Sequence, residues 1–164
     1  MADFVAFLRR HPVGLLTAIG AFASDQMAKL LVMRTLDVGE SWPMDSFIRF
    51  THVVNSGSAF HLFNVPTIAI FAASAIGIGV LFTLYWSRAK TGIRSQLSFG
   101  LMVAGVLSNL VDRVVIGHVT DFIDIFPWFI FNVADASIGI GLIGFVWDLQ
   151  AEASRSLTRS GRQK

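Results

Sequence analysis

The stretch VTDFIDIFPWFIFNVADAS, residues 119–137, combines a strongly apolar run with three aspartates, Asp121, Asp124 and Asp135. Carboxylates are costly beside hydrocarbon unless they are paired, neutralised or used in chemistry. The stretch therefore indicates either a functional site or carboxylates that lie in water at the end of a membrane segment. The rest of the chain has to decide between these two interpretations.

The chain around this stretch has the composition of a membrane protein. Of its 164 residues, 54% are hydrophobic and only 15% are charged. Four apolar segments are long enough to cross a hydrocarbon core of about 30 Å, which takes roughly 20 helical residues. We predict helices over 12–33, 66–86, 95–112 and 133–149. The expected fold is an all-α membrane protein with four transmembrane helices.

The first segment also has features of a cleaved secretory signal. Arg9 and Arg10 precede an apolar run that reaches Ala21-Phe22-Ala23, a possible cleavage site. However, the apolar run resumes at residues 30–32, and an uncleaved helix gives an even number of spans with both basic tails on one side. We therefore assign this segment as a transmembrane helix.

The distribution of Lys and Arg predicts the orientation, because cytoplasmic connections carry an excess of these residues. Four of the 13 basic residues are Lys29, Arg34, Arg49 and Arg113. The other nine lie in the two tails and the connection near 87–94: Arg9, Arg10, Arg88, Lys90, Arg94, Arg155, Arg159, Arg162 and Lys164. Both termini should therefore be cytoplasmic, and the connections near 34–65 and 113–131 should face outward.

The outer connection 34–65 is too long for a plain turn. Residues 47–54 are rich in β-branched and aromatic side chains, which is typical of short strands. We therefore expect a small extracytoplasmic β-sheet or loop region beside the helices. The basic segment 154–164 is expected to be a disordered cytoplasmic tail, and residues 1–164 to form a single membrane-embedded domain.

Several classes of site are disfavoured by the residues present. The chain has no cysteine, which excludes a disulfide framework, a thiol nucleophile and any Cys-ligated metal site. The four histidines are scattered without an H-E-x-x-H motif, so neither a metal nor an organic cofactor is expected. No basic stripe with interleaved aromatic residues indicates nucleic-acid binding.

With this orientation, the polar residues embedded in apolar sequence converge on the outer membrane boundary: Asp25, Asn109, Asp112, Arg113, Asp121, Asn132 and Asp135. Each also has a structural interpretation. Asn132 and Asp135 have the spacing of a helix cap, and Asp112 with Arg113 could be an interfacial pair. Asp25 with Lys29 could be a surface pair, and Asp124 could be an exposed loop residue. Taken together, however, ionisable residues at one depth favour a functional site.

Five motifs in order resemble the bacterial lipoprotein signal peptidase family, the aspartic membrane proteases also called signal peptidase II. The matching segments are Asp25-Gln26-x-x-Lys29, Asn55-Ser56-Gly57-Ser58-Ala59-Phe60, Ser108-Asn109-Leu110-Val111-Asp112-Arg113, Gly117-His118-Val119-Thr120-Asp121-Phe122 and Phe131-Asn132-Val133-Ala134-Asp135. Ser108 departs from the pattern, since glycine is common there, and we expect this departure to affect helix packing more than chemistry.

The resemblance implies that Asp121 and Asp135 are the catalytic pair, and leaves Asp124 as a neighbour that is structural or merely exposed. It further implies that Asn55, Asn109, Arg113 and Asn132 bind substrate or support the site. Structural support is expected from Asp25, Lys29, Gly57, Asp112 and Ala134. Two carboxylates that share one proton suit peptide hydrolysis, because one can act as base on a water while the other polarises the carbonyl.

The implied substrate is a prolipoprotein whose cysteine already carries a diacylglyceryl group, cleaved just before that cysteine at the outer face of the bacterial cytoplasmic membrane. Membrane lipid is the other expected partner, and nothing requires an oligomer. A rival is a small four-helix ion- or proton-coupled transporter or an accessory subunit, but its carboxylates should be distributed through the membrane depth. A second rival is a serine protease that uses Ser58 or Ser108, which lacks a histidine base on an apolar helix.

Overall fold

The computed structural model describes residues 10–56, 76, 77, 79, 80, 83 and 92–161 of the chain. Three helices in this part are long and apolar enough to cross a membrane by length and composition. We number them α1 (Pro12–Thr35), α2 (Ile93–Val115) and α3 (Val133–Gly161). The predicted span 66–86 lies outside the described residues, apart from five residues that are helical: Ile76, Gly77, Gly79, Val80 and Thr83.

The helix bounds differ from the predicted ones mainly at their ends. Helix α1 begins at Pro12, where proline suits the first turn because its missing N–H is not needed there. It runs without a break through Ala21-Phe22-Ala23. Helix α3 continues to Gly161, so the predicted disorder from residue 154 is wrong for the described part of that tail.

Four short strands form one antiparallel sheet in the order β1-β2-β3-β4. They are β1 (Ser41–Trp42), β2 (Ile48–Asn55), β3 (Val119–Ile125) and β4 (Phe129–Phe131). The first two confirm the strands expected between residues 34 and 65. The other two were not predicted, because the connection between the last two helices was expected to be a loop.

The sheet is tied directly to the helices on both sides of the stretch 119–137. Gly117, with a φ of 82°, lies in the turn that leads from α2 into β3. Strands β3 and β4 then form a hairpin, and Asn132 alone separates β4 from the first residue of α3. As a result, β3 packs against both α1 and α2, and the start of α3 lies beside the sheet.

Small residues let α2 approach both other helices closely. A Cβ atom on Gly100 would lie 2.5 Å from the carbonyl oxygen of Gly14 in α1, and one on Gly105 would overlap the carbonyl oxygen of Ala134 in α3. Close packing through small residues is the usual way that helices associate in a membrane. It places the polar residues of the three helices within hydrogen-bonding distance of one another.

Candidate active site

Asp121 lies in β3, opposite Val53 of β2, with only 4% of its surface exposed. Its two carboxylate oxygens each accept a hydrogen bond from an asparagine amide. Asn55 Nδ2 donates to Oδ2 at 2.8 Å, and Asn132 Nδ2 donates to Oδ1 at 2.6 Å. Both amides belong to residues that the sequence predicted to support the site.

Asp135 lies in the first turn of α3, where a carboxylate also interacts favourably with the helix dipole. Its Oδ1 accepts a hydrogen bond from Asn109 Nδ2 at 2.8 Å, and its Oδ2 accepts the backbone N–H of Asn132 at 3.3 Å. In return, the N–H of Asp135 donates to Asn132 Oδ1 at 2.9 Å. The capping interpretation of this pair is therefore correct, and it coexists with the contacts to the site.

The two aspartates are linked through one asparagine, Asn132. Asn132 contacts both carboxylates, and its Nδ2 also donates to Asn109 Oδ1 at 3.2 Å. Burial is the main factor that raises the pKa of Asp121, and the nearby charge of Asp135 raises it further. The amides of Asn55 and Asn132 and the ammonium of Lys29 act in the opposite direction. The carboxyl of Asp121 therefore holds its proton to higher pH than an ordinary aspartate.

A buried ion cluster lies next to this pair and joins α1 to α2. Lys29 Nζ lies 2.6 Å from Asp25 Oδ2 and 2.7 Å from Asp112 Oδ2, and it donates to Asn109 Oδ1 at 2.9 Å. Lys29 and Asp25 are 1% and 0% exposed, so the alternative of a surface pair is wrong. An ammonium can only donate hydrogen bonds. Lys29 therefore orients the amide of Asn109 with its oxygen toward the cluster and its NH₂ toward Asp135.

Asp25 also extends this cluster to α3. Its Oδ1 accepts the backbone N–H of Ala134 at 2.7 Å, one of the first-turn N–H groups that have no partner within the helix. Ala134 is 1% exposed and lies against Gly105 of α2. Asp25 thus helps to fix the first turn of α3, which carries Asp135, against α1.

Gln26 and Ser108 also belong to this cluster, although their contacts were not predicted from the sequence. The amide of Gln26 donates to Ser108 Oγ at 2.8 Å and to Asp112 Oδ1 at 2.7 Å, while the hydroxyl of Ser108 donates to Asp25 at 2.7 Å. Ser108 is completely buried in this network, which does not suit a nucleophile. One signal in the sequence could have indicated the contacts of Gln26 with Ser108 and Asp112. Ser108 and Asp112 are four residues apart, so they lie on one face of a helix, and Gln26 belongs to a motif of the same family.

Arg113 does not pair with Asp112, so the alternative of an interfacial pair is wrong. Asp112 contacts Lys29 and Gln26, whereas Arg113 Nη1 donates to the carbonyl oxygen of Asn109 at 3.2 Å in the same helix. Within the described part of the chain, Arg113 Nε is buried without a hydrogen-bond partner. This half-buried guanidinium lies against Asn109, whose side chain bonds Asp135, and is therefore available for a further contact.

Asp124 is buried rather than exposed to water. Arg49 Nε and Thr51 Oγ1 donate to its Oδ2 at 2.5 and 2.7 Å, and its exposed fraction is 2%. It lies on the other face of β3 from Asp121, because adjacent strand residues point to opposite faces. These contacts agree with the interpretation of Asp124 as a structural residue. Its partners Arg49 and Thr51 were not predicted from the sequence. Gly57 lies outside the described residues.

No group of three or more His, Asp or Glu side chains among the described residues is arranged as a metal site. The cation that lies between Asp25 and Asp112 is the ammonium of Lys29. The chemical resource of this site is thus the buried carboxylate of Asp121 and the partly buried carboxylate of Asp135, both supplied with amide donors. Such a pair can move a proton in each direction.

Comparison with known proteins identifies the family. Residues 17–151 match the family described as Signal peptidase (SPase) II. A lipoprotein signal peptidase from Dehalococcoides mccartyi is 35% identical over 134 residues, 79% of this chain and 83% of that protein. One from Synechocystis sp. is also 35% identical, over 147 residues, 85% of this chain and 89% of that protein.

A solved structure gives the same result at the level of the fold. It is described as a bacterial membrane enzyme determined by the in meso method at 2.3 Å resolution, and it aligns with a TM-score of 0.78 and 29% identity. The alignment covers 87% of this chain and 90% of the other. Both the match over residues 17–151 and the relatives show that this chain belongs to the signal peptidase II family.

Proposed function

We propose that this protein removes the signal peptide from diacylglyceryl-modified prolipoproteins, cleaving just before the lipidated cysteine. The relatives are named lipoprotein signal peptidases, and three helices among the described residues are apolar enough to span a membrane. The observation that supports the mechanism is the linkage of the two carboxylates through Asn132, which donates from its side chain to Asp121 and from its backbone to Asp135, while Asn109 also donates to Asp135. The same finding disfavours the transporter, whose carboxylates should not be gathered at one end of the helices.

In the proposed mechanism, Asp121 is the protonated member and Asp135 the ionised member of the pair. The raised pKa of Asp121 supports this assignment. Asp135 takes a proton from a water molecule while the water oxygen bonds to the scissile carbonyl carbon. Asp121 gives its proton to the carbonyl oxygen at the same time.

The tetrahedral intermediate then collapses. Asp135 passes its proton to the leaving nitrogen, the C–N bond breaks, and Asp121 recovers its proton from the hydroxyl as the new carboxyl group forms. The supporting residues act on this sequence without exchanging protons. Asn55 and Asn132 hold Asp121, Asn109 holds Asp135, and the unpaired Nε of Arg113 is suited to a substrate carbonyl.

The proposed location of the reaction follows from the basic residues. We place both termini in the cytoplasm and the sheet, with Asp121, on the outer side of the bacterial inner membrane. A signal peptide that enters with its basic end inside presents its cleavage site at that level. The enzyme is proposed to act as a monomer.

The function is tested by cleavage of a purified diacylated prolipoprotein, with the freed signal peptide detected by a size shift. Asp121→Asn and Asp135→Asn should each lower the initial rate by at least about 10²–10⁴-fold, because neither amide can carry the proton. The double variant should be hardly slower than either single one, since the two residues act as a unit.

Asp45→Asn is the matched control, because it makes the same chemical change in an exposed loop residue and should keep the wild-type rate. Thermal unfolding in detergent shows that each variant is folded. If folded single variants keep appreciable activity and their losses add, the shared-proton mechanism is wrong.

A further inference from the structure

Strand β2 contains one residue more than its pairing with β3 requires. Residues 48–50 pair with β3 in one register, and residues 53–55 pair in a register that is shifted by one position. Thr51 and His52 therefore lie opposite Phe122 alone. An extra residue of this kind is a β-bulge, a feature that is common beside active sites because it changes the direction of the side chains that follow.

The bulge decides which face of the sheet carries Asn55. Phe50 pairs with Ile123, and Asn55 pairs with Val119. Both partners lie two positions from Asp121 in β3, so Phe50 and Asn55 share the face of Asp121. In a regular strand, residues an odd number of positions apart point to opposite faces. Without the bulge, Asn55 would therefore turn away from Asp121.

The hydrogen bond between Asn55 and Asp121 depends on this phase of the strand. Asn55 lies diagonally across from Asp121, at a separation that long side chains can bridge. Its Nδ2 donates to Oδ2 at 2.8 Å, whereas Asn132 donates to the other oxygen. The bulge therefore controls one of the two amide donors to this carboxyl.

Both residues of the bulge are held by side-chain contacts. Thr51 Oγ1 donates to Asp124 Oδ2 at 2.7 Å, on the face of the sheet away from Asp121. His52 Nδ1 lies 2.9 Å from the carbonyl oxygen of Leu36, the residue that caps the end of α1. Because a carbonyl oxygen only accepts, Nδ1 is the donor. This bond gives a partner to one of the carbonyl groups that the helix end leaves unpaired.

The backbone of His52 is fixed by the segment that follows α1. Its N–H donates to the carbonyl oxygen of Glu40 at 3.0 Å, and its carbonyl oxygen accepts the N–H of Gly39 at 2.8 Å. Gly39 has a φ of 88°, in the left-handed region that favours glycine. His52 is 7% exposed. The end of α1 thus fixes the position of the bulge through both the side chain and the backbone of one residue.

We propose that His52 is a positioning residue, which locks the bulge of β2 to the end of α1 and so keeps Asn55 in phase with Asp121. Its role is indirect, since it acts through Asn55. The inference rests on the proposed function, in which the contact of Asn55 with Asp121 serves cleavage. Helix α1 then influences both aspartates, because its Lys29 already orients the amide that bonds Asp135.

The first test is a double-mutant cycle on the cleavage of a purified diacylated prolipoprotein. His52→Leu should lower kcat by about tenfold or more, the effect of one lost hydrogen bond to a charged group. In the Asn55→Ala background, the same substitution should lower kcat by less than about twofold, since the contact through which it acts is already lost. His52→Asn, whose amide can donate in place of Nδ1, should recover most of the rate.

Val54→Ala is the matched control, because Val54 lies in the same strand on the opposite face and is 41% exposed. Its effect should be small and equal in the two backgrounds. Gly39→Ala disturbs the same contact without changing a buried side chain. Since alanine is disfavoured at this φ, we expect a loss of about threefold that disappears in the Asn55→Ala background.

The second measurement needs no substrate. The titration of Asp121 is followed through the infrared band of its protonated carboxyl, which Asp121→Asn identifies by removing it. The amide of Asn55 favours the ionised carboxylate, so its loss should raise the pKa of Asp121 and shift the titration to higher pH. The charges of Asp135 and Lys29, which also act on this carboxyl, are unchanged. His52→Leu and Asn55→Ala should cause the same shift, and the double variant should shift no further.

The two measurements separate the role of His52 from the proposed function. A wild-type protein that does not cleave the prolipoprotein contradicts the proposed function, and the titration then decides on His52 by itself. The proposal is overturned if folded His52→Leu titrates like the wild type, or if its loss of kcat multiplies with that of Asn55→Ala. Thermal unfolding in detergent shows which variants are folded, and Gly39→Ala takes the place of His52→Leu in both measurements if the latter is not.

Discussion

At the scale of single residues, Asp121 couples the protonation of the site to the stability of the protein. Its pKa in the folded state is raised above the ordinary value of 3.8. The folded state therefore binds the proton more tightly than the unfolded state, and acidification through that window stabilises the fold. The free energy that the folded state loses by keeping Asp121 ionised is largest above the raised pKa.

Asp121→Asn should remove this pH dependence. As the pH falls from neutral toward about 4, the unfolding temperature of the wild type should rise relative to that of the variant. The measurement is apparent unfolding temperature in detergent against pH, for wild type, Asp121→Asn and the exposed control Asp45→Asn. A difference between wild type and Asp121→Asn that is constant with pH contradicts a raised pKa at Asp121.

Lys29 is the residue whose loss should disturb stability most. Lys29→Met leaves the carboxylates of Asp25 and Asp112 buried without a counter-charge, which should lower the free energy of unfolding by about 3–5 kcal/mol. Arg34→Met, on an exposed residue of the same helix, should change it by less than about 0.5 kcal/mol. Denaturant titration measures both. Equal effects of the two substitutions would show that the cluster does not hold α1 to α2.

At the scale of elements, the contact between α2 and α3 controls the distance from Asn109 to Asp135. Gly105 faces Ala134, and Asn109 is one helical turn further along α2. Gly105→Ala should force the helices apart, because its Cβ would overlap a backbone carbonyl that cannot yield cheaply. The hydrogen bond from Asn109 to Asp135 should lengthen as a result.

We therefore expect Gly105→Ala to lower both the cleavage rate and the unfolding temperature. Gly139→Ala, in α3, is the matched control, since a Cβ there meets nothing within 4 Å. Alanine is also the better helix former, by roughly 0.5–1 kcal/mol, so the control should be neutral or slightly stabilising. Comparable losses in both variants would mean that helix flexibility matters more than the contact.

At the scale of the whole molecule, the orientation can be tested with the same cysteine-free chain. Cysteine at Asp37, exposed just beyond the last turn of α1, should react with a membrane-impermeant thiol reagent added outside intact cells. Cysteine at Lys90, in the connection with three basic residues, should react only after the cells are opened. Labelling of the Lys90→Cys variant from outside would reverse the proposed topology.

Features that depend on a single segment of the chain could be predicted from the sequence, whereas contacts between distant segments could not. The length of the apolar segments was enough to predict α1, α2 and α3, because the ability to cross a membrane is a property of a single segment. Strands β3 and β4 were missed, since Thr120, Asp121 and Asp124 place polar side chains on both faces and erase the alternation that marks a strand.

The same limit applies to the site. Asp121 and Asp135 stood out as carboxylates in apolar sequence, and the cap of Asn132 followed from a spacing of three residues. The contacts of Lys29 with Asp112 and of Arg49 with Asp124 join residues more than 70 positions apart. Such pairs depend on how α1 meets α2 and how β2 meets β3, which no local pattern specifies.

The bond between Asp25 and the backbone of Ala134 spans 109 positions of the chain, and it has a consequence for biosynthesis. Asp135 follows directly, so a growing polypeptide carries only Asp121 of the proposed pair until α3 emerges from the ribosome. Helix α3 can then dock on α1, which is synthesised before it. Under the proposed mechanism, a chain that ends before α3 should be inert, and proteolytic capacity should arise only once α3 has been inserted beside α1.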